Sequence, residues 1–166
     1  SALARKLGLV ALGNPGDDPL MSDLFVLLYE VETDFTIFFR NLAAVSLDAS
    51  DDEALLEPLH PAFYSQPSPA MASWLRRYAA RVRDEGVAAS TRVERMNSVN
   101  PKYVFRNYLA QLAIDALERG DATVMERLMK VLERPYDEQP AHHDLAARRP
   151  EWARHRAGCS ALSCSS

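Results

Sequence analysis

Three steps into proline, Asp18-Pro19, Ser68-Pro69 and Asn100-Pro101, each precede a stretch whose apolar residues recur at three-and-four spacing. A small polar residue can cap the free N–H groups at a helix start. Proline at the first helical position gives up only an N–H that has no partner there. This grammar confines the chain to helices, and strand signals are nearly absent. After Pro19, Leu24, Leu27, Leu28 and Val31 mark one face, and Phe35, Phe38, Phe39 and Leu42 continue it. The polar cluster Glu32-Thr33-Asp34 is expected to break this run into two packed helices. Phe35 to Phe39 can be read as a short strand, but no turn signal or partner strand supports that reading.

An acidic stretch follows, with a short helix expected at about residues 51 to 57 and irregular chain around Pro58, Pro61 and Pro67. Beyond Ser68-Pro69, Met71, Trp74, Leu75, Tyr78 and Val82 form an apolar stripe. Arg76, Arg77, Arg81 and Arg83 are expected to stay in water, and Gly86 to end the helix. A short helix from Arg92 to Met96 leads to Asn100-Pro101, expected to open the most apolar helix of the chain. There Val104, Phe105, Tyr108, Leu109, Leu112, Ala113, Ala116 and Leu117 cover more than half the circumference. Gly120 stops it and Asp121 caps a last helix. The expected fold is all-α, a multi-helix orthogonal or antiparallel bundle. Residues 1–155 form the helical domain, with Tyr136 and Trp152 pinning its end, and residues 156–166 form a flexible cysteine-containing tail.

Composition narrows function mainly by exclusion. The 166 residues are 48% hydrophobic and 25% charged, enough apolar material for one ordinary domain. A net charge of −4 offers no electrostatic reason for nucleic acid or an anionic membrane as partner. No apolar run approaches the roughly 18 residues a membrane span needs. The opening segment is a poor signal peptide, broken at once by Gly13-Asn14-Pro15. Two cysteines make no disulfide framework, so a reducing cytoplasmic setting is the expectation. The chain starts without an initiator methionine and reads as a piece of a longer protein.

Searches for catalytic motifs fail: there is no Gly-rich phosphate loop, nucleophile elbow or His-Glu-x-x-His. His142, His143, Cys159 and Cys164 contain the donors of a four-ligand zinc site, but their spacing is unfamiliar. Asp48, Asp51, Asp52 and Glu53 lack the alternation and central glycine of a calcium loop and suit the positive end of a short helix. Arg106, Asn107 and Gln111 stand out on the most apolar helix. They are expected to form a buried hydrogen-bond network or to contact a neighbouring domain, since an unpaired buried polar group costs about 1 to 3 kcal/mol. Both cysteines fall in the last eight residues, Cys159 and Cys164, in a serine-rich tail.

The stretches SVNPKYVFRNYLAQLAIDALERGD, LERPYDEQP and PEWA, and the terminal SCSS, together resemble the C-terminal part of the selenoprotein O family. The upstream RKLGL followed by a helical pair fits as well. The resemblance implies a pseudokinase with a kinase-like fold that moves AMP from ATP to Ser, Thr or Tyr hydroxyls of proteins. ATP and magnesium would then be cofactors of the parent protein. Its nucleotide cradle, lysine and metal-binding carboxylates belong to an N-terminal kinase-like domain, and none matches a residue here. The expectation is therefore a non-catalytic segment without its own cofactor, partnered by that domain in a bacterial cytoplasm. Cys164 matches the position of a family redox residue that pairs with a cysteine of the kinase-like core. About ten extended residues beyond His155 would reach roughly 30 to 35 Å. Cys159 matches nothing in the family and is either a second redox thiol or a tolerated tail residue. The alternative is an unrelated helical module that docks a partner through its apolar faces.

Overall fold

A computed structural model describes residues 1–159, and every regular element among them is helical. The only β-type pairing among those residues is an isolated antiparallel bridge between Thr33 and Phe63. The chain divides into two compact units, Ser1–Asn100 and Pro101–Ser166.

The first unit contains α1 (Ala2–Lys6), α2 (Asp17–Glu30), α3 (Phe35–Leu42), α4 (Asp52–Leu56), α5 (Pro69–Glu85) and α6 (Ala89–Val99). The break expected at Glu32 to Asp34 is there. Asp34 caps α3 by accepting from Ile37 N at 2.9 Å, and its own N–H donates to Ala62 O. Leu24, Leu28, Phe38 and Leu42 are buried where α2 packs on α5 and α3 packs on a 3-10 turn, Glu57–Ala62. Asp51 caps α4, as the acidic cluster implied.

On α5, Met71, Trp74, Leu75, Tyr78 and Val82 are all buried, and Pro69 and Gly86 bound the helix as read. Trp74 and Tyr78, one turn apart, stack with centroids 5.3 Å apart and planes within 5°. The Trp74 indole N–H donates to Leu20 O at 2.8 Å, which ties α5 to α2. Gly86 has φ +65°, the left-handed conformation that lets the chain leave the helix.

Two expectations for this unit need correction. The N-cap of α2 is Gly16, not Asp18, because Asp17 folds into the first turn and its carboxylate reaches back to Gly13 N and Asn14 N. Arg81 does not stay in water. Its side chain is 10% exposed, held between Asp17 and Glu85. An Arg can leave the wet face of a helix when a carboxylate from elsewhere in the fold meets it; Glu85 stands four residues along α5, but spacing along α5 does not reveal Asp17.

The second unit holds α7 (Asn107–Glu118) and α8 (Thr123–Leu132), packed together and joined through Gly120 at φ +81°. Here the Asn100-Pro101 reading fails. Asn100 ends α6 instead of opening α7, and six residues of non-helical chain intervene. Lys102 N and Tyr103 N donate to Pro135 O, holding that segment extended. Proline just beyond a helix end is as well placed as at a helix start. On α7 only Tyr108, Leu109, Ala113 and Ala116 are buried, while Leu112 and Leu117 stay exposed, as does Phe105 ahead of it. The N-cap of α8 is Ala122, not Asp121, which stands one residue earlier and accepts from Thr123 N at 2.9 Å.

The segment after α8 crosses these helices through Leu145, Ala153 and Cys159, which join Tyr103, Tyr108, Leu109, Leu128 and Val131 in one core. Of the two expected anchors, Trp152 meets Tyr108 edge to face at 6.5 Å but is half exposed, and Tyr136 is equally exposed. Packing continues to Cys159, past the point near His155 where a tail was expected to begin.

Candidate functional site

The polar residues singled out on α7 lie where the end of the described chain meets that helix. Arg106 is fully buried, but it occupies the N-cap position and lies outside the helix proper. Asn107 is the first residue of α7 and half-buried. Gln111, one turn on, donates its amide to Asp115 Oδ1 at 3.0 Å. Arg156 reaches the same carboxylate, 2.9 Å from Oδ1 and 2.8 Å from Oδ2, and lies 5.9 Å from the centre of the Trp152 ring. Gln111 first, then Arg156, holds the Asp115 carboxyl below its usual range.

Gly158, at φ +81°, comes so close that a Cβ there would lie 3.1 Å from Gln111 Oε1. The next residue, Cys159, is a fully buried free thiol. The segment 151–159 is thus a strap fastened to α7 by an ion pair, a ring contact, a close glycine approach and a buried sulfur. Among its fasteners Asp115 was not singled out from the sequence, although it stands four residues after Gln111 on the same helix face. Arg156 and Gly158 carried no sequence signal, since their partners lie 41 and 47 residues upstream. Cys164 lies outside the described residues.

The other donor sets do not converge. His142 Nδ1 accepts from Arg127 Nε at 3.0 Å, and Arg127 also grips Asp144, so this imidazole faces a guanidinium. His143 is exposed and Cys159 is buried. Asp52 pairs with Arg76 and Glu53 with His60. Among the described residues no three His, Cys, Asp or Glu side chains come together as a metal would require. A cleft of about 320 Å³ at the end of α8 is lined by Lys130, Arg134, Glu138, Gln139 and His142. Gln139 is already committed there, donating its amide to Val131 O and Arg134 O. No described helix is long and apolar enough to cross a membrane.

Fold and site together define an all-helical segment whose buried polar groups brace packing. The family model described as protein adenylyltransferase SelO matches residues 1–133, and the chain belongs to that family. Among its relatives, a protein nucleotidyltransferase YdiU from Nitrosospira multiformis is 52% identical over 191 aligned residues, covering 99% of this chain and 34% of that protein. The YdiU protein of Aromatoleum aromaticum is 49% identical, over 99% of this chain and 31% of its own length. That of Rhodopirellula baltica is 48% identical, over 100% and 34%. The chain spans about a third of the length of the curated relatives it matches.

Proposed function

We propose that this chain is the C-terminal helical part of a bacterial, cytoplasmic protein nucleotidyltransferase that transfers AMP from ATP to Ser, Thr or Tyr hydroxyls of other proteins. In that reaction the hydroxyl oxygen bonds to the α-phosphorus and pyrophosphate leaves. The nucleotide-binding and metal-binding groups belong to the kinase-like part of the same polypeptide, which is also this segment's partner. What carries the reading is the family match over residues 1–133, together with relatives that align along this whole chain but only a third of themselves. The commitment of the carboxylates described above to caps and ion pairs is consistent with chemistry located elsewhere. Arg106, Asn107 and Gln111 serve packing and the contact with that partner.

Cys164 is proposed as the redox thiol, closing a disulfide with a cysteine of the kinase-like part. The burial of Cys159 favours Cys164 over it as the exchanging group. It also shortens the reach. Four residues stand between the two cysteines, so over five Cα steps Cys164 can lie at most roughly 17 Å from Cys159.

The test is transfer of label from α-labelled ATP to protein, by the parent polypeptide and by this chain alone. The parent should label protein and this chain should not. Labelling by this chain, or none by the parent, overturns the proposal. The redox assignment is tested with Cys164→Ser in the parent, which should abolish the difference in activity between oxidised and reduced enzyme. A retained difference removes Cys164 from the role.

A further inference from the structure

The two units differ in how well they hide their apolar residues. Among the described residues ten large hydrophobic side chains are exposed, and seven belong to the second unit, although it is the smaller. Three of them are on α7: Leu112 at 39%, Ile114 at 43% and Leu117 at 44% exposure. Ala110, Ile114 and Leu117 follow one another at four and three residues and form a single ridge. Gln111 and Asp115 run beside that ridge, fixed by Arg156. An apolar ridge next to an ordered polar edge has the make-up of an interface, with a core that excludes water and a rim that remains wet. Adjacent aliphatic side chains on one helix face differ from the singly scattered apolar residues that any surface carries.

We infer that the Ala110–Ile114–Leu117 ridge of α7 is a docking face for an apolar surface of the same polypeptide, in the portion that the relatives carry outside the matched third. This rests on the proposed function only in taking this chain as part of that longer polypeptide. Size selects the occupant. A stable pair of free protein molecules buries about 800 Å² per partner. One ridge on a twelve-residue helix, already more than half covered, offers far less. A tethered surface needs no such area, because its effective concentration reaches about the millimolar range. A face this small suits a partner on the same chain better than a second copy.

Hydroxyl-radical footprinting reads the face directly, by comparing labelling of Ile114 and Leu117 in this chain and in the parent polypeptide. Both side chains should be labelled severalfold less in the parent, while Val26 and Tyr29, exposed on α2, serve as internal references. The double substitution Ile114→Lys and Leu117→Lys should leave the melting temperature of this chain unchanged. In the parent it should lower that temperature. Equal labelling of the wild-type face in both proteins overturns the inference, and needs no variant to fold. Protection that is present in this chain and disappears on dilution assigns the face to a second copy and overturns it as well. AMP transfer is measured separately: a protected face in an inactive parent sinks the proposed function and leaves the docking face standing, and an active parent with an open face does the reverse.

Discussion

Arg81 Nε donates to Asp17 Oδ1 at 2.7 Å, joining residues 64 positions apart at the start of α2 and near the end of α5. The same guanidinium donates to Ala11 O and to Glu85, while Glu85 accepts from Val10 N and Asp17 from Gly13 N and Asn14 N. One cation and two carboxylates thus pin the loop before α2 against α5. The Arg81 hydrogen bond first, then the backbone donors, draws the Asp17 carboxyl down to about 2. Its folded-state value lies below the unfolded one, so it stabilises the fold above about pH 4 and that contribution is lost as pH falls through about 2. Asp17→Asn should cost roughly 2 to 3 kcal/mol at neutral pH by stranding Arg81. The gap between variant and wild type in thermal melts should narrow steadily as pH falls from 4 towards 2.

Gly8 is expected to be the least replaceable glycine. At φ +71° a Cβ would also meet Arg92 Cγ at 2.7 Å and Met96 Sδ at 2.9 Å. Gly86 has a similar φ, +65°, and open space around it. Gly86→Ala should cost about 1 kcal/mol from backbone strain alone, and Gly8→Ala about 2 kcal/mol more from overpacking. Denaturant midpoints of the two variants compare them directly.

Tyr78 donates to Leu7 O at 2.6 Å from a fully buried position and accepts from Arg92 at 3.3 Å. Burial pushes its hydroxyl up to about 12. A folded value above the unfolded one means that its contribution is complete below about pH 10 and is lost as pH rises through about 12. One tyrosine should therefore titrate late in ultraviolet difference spectra, and Tyr78→Phe should remove that late step. The variant should also lose about 1 to 3 kcal/mol, because Leu7 O and Arg92 are left behind.

In a Cys164→Ser background, Cys159 should react with a thiol reagent far more slowly than a small-molecule thiol does. Arg156→Ala frees one fastener of the strap and should speed that reaction, with little change in overall melting temperature. Equal rates in the two proteins would mean that the ion pair with Asp115 does not hold the strap closed.

The proposed helix grammar succeeded where a signal and its target lie within one turn of each other. Ser68-Pro69 and Gly86 bracket α5, Asp34 starts α3, and Asp51 caps α4 as its type suggests. Family membership was legible too, in the stretch from Ser98 to Asp121. That stretch also contains the misplaced start of α7, so a sequence can be recognisable where its local structure is misread.

The sequence by itself determined that this chain is helical, which faces of its helices are apolar, and to which family it belongs. Those properties reside in residue type and spacing along a few turns. Only the tertiary structure decided that Pro101 follows one helix instead of opening the next, that Arg81 is withdrawn from water, and that Cys159 lies in a core. It also decided which apolar residues of α7 are covered within the described chain and which remain open. Each of these depends on a partner tens of residues away: Pro135 O for Lys102 and Tyr103, Asp17 for Arg81, and the α7–α8 pair for the strap. A cap or an amphipathic stripe is written in neighbouring residues, whereas a hydrogen bond or a buried contact across the fold exists only once distant segments have met.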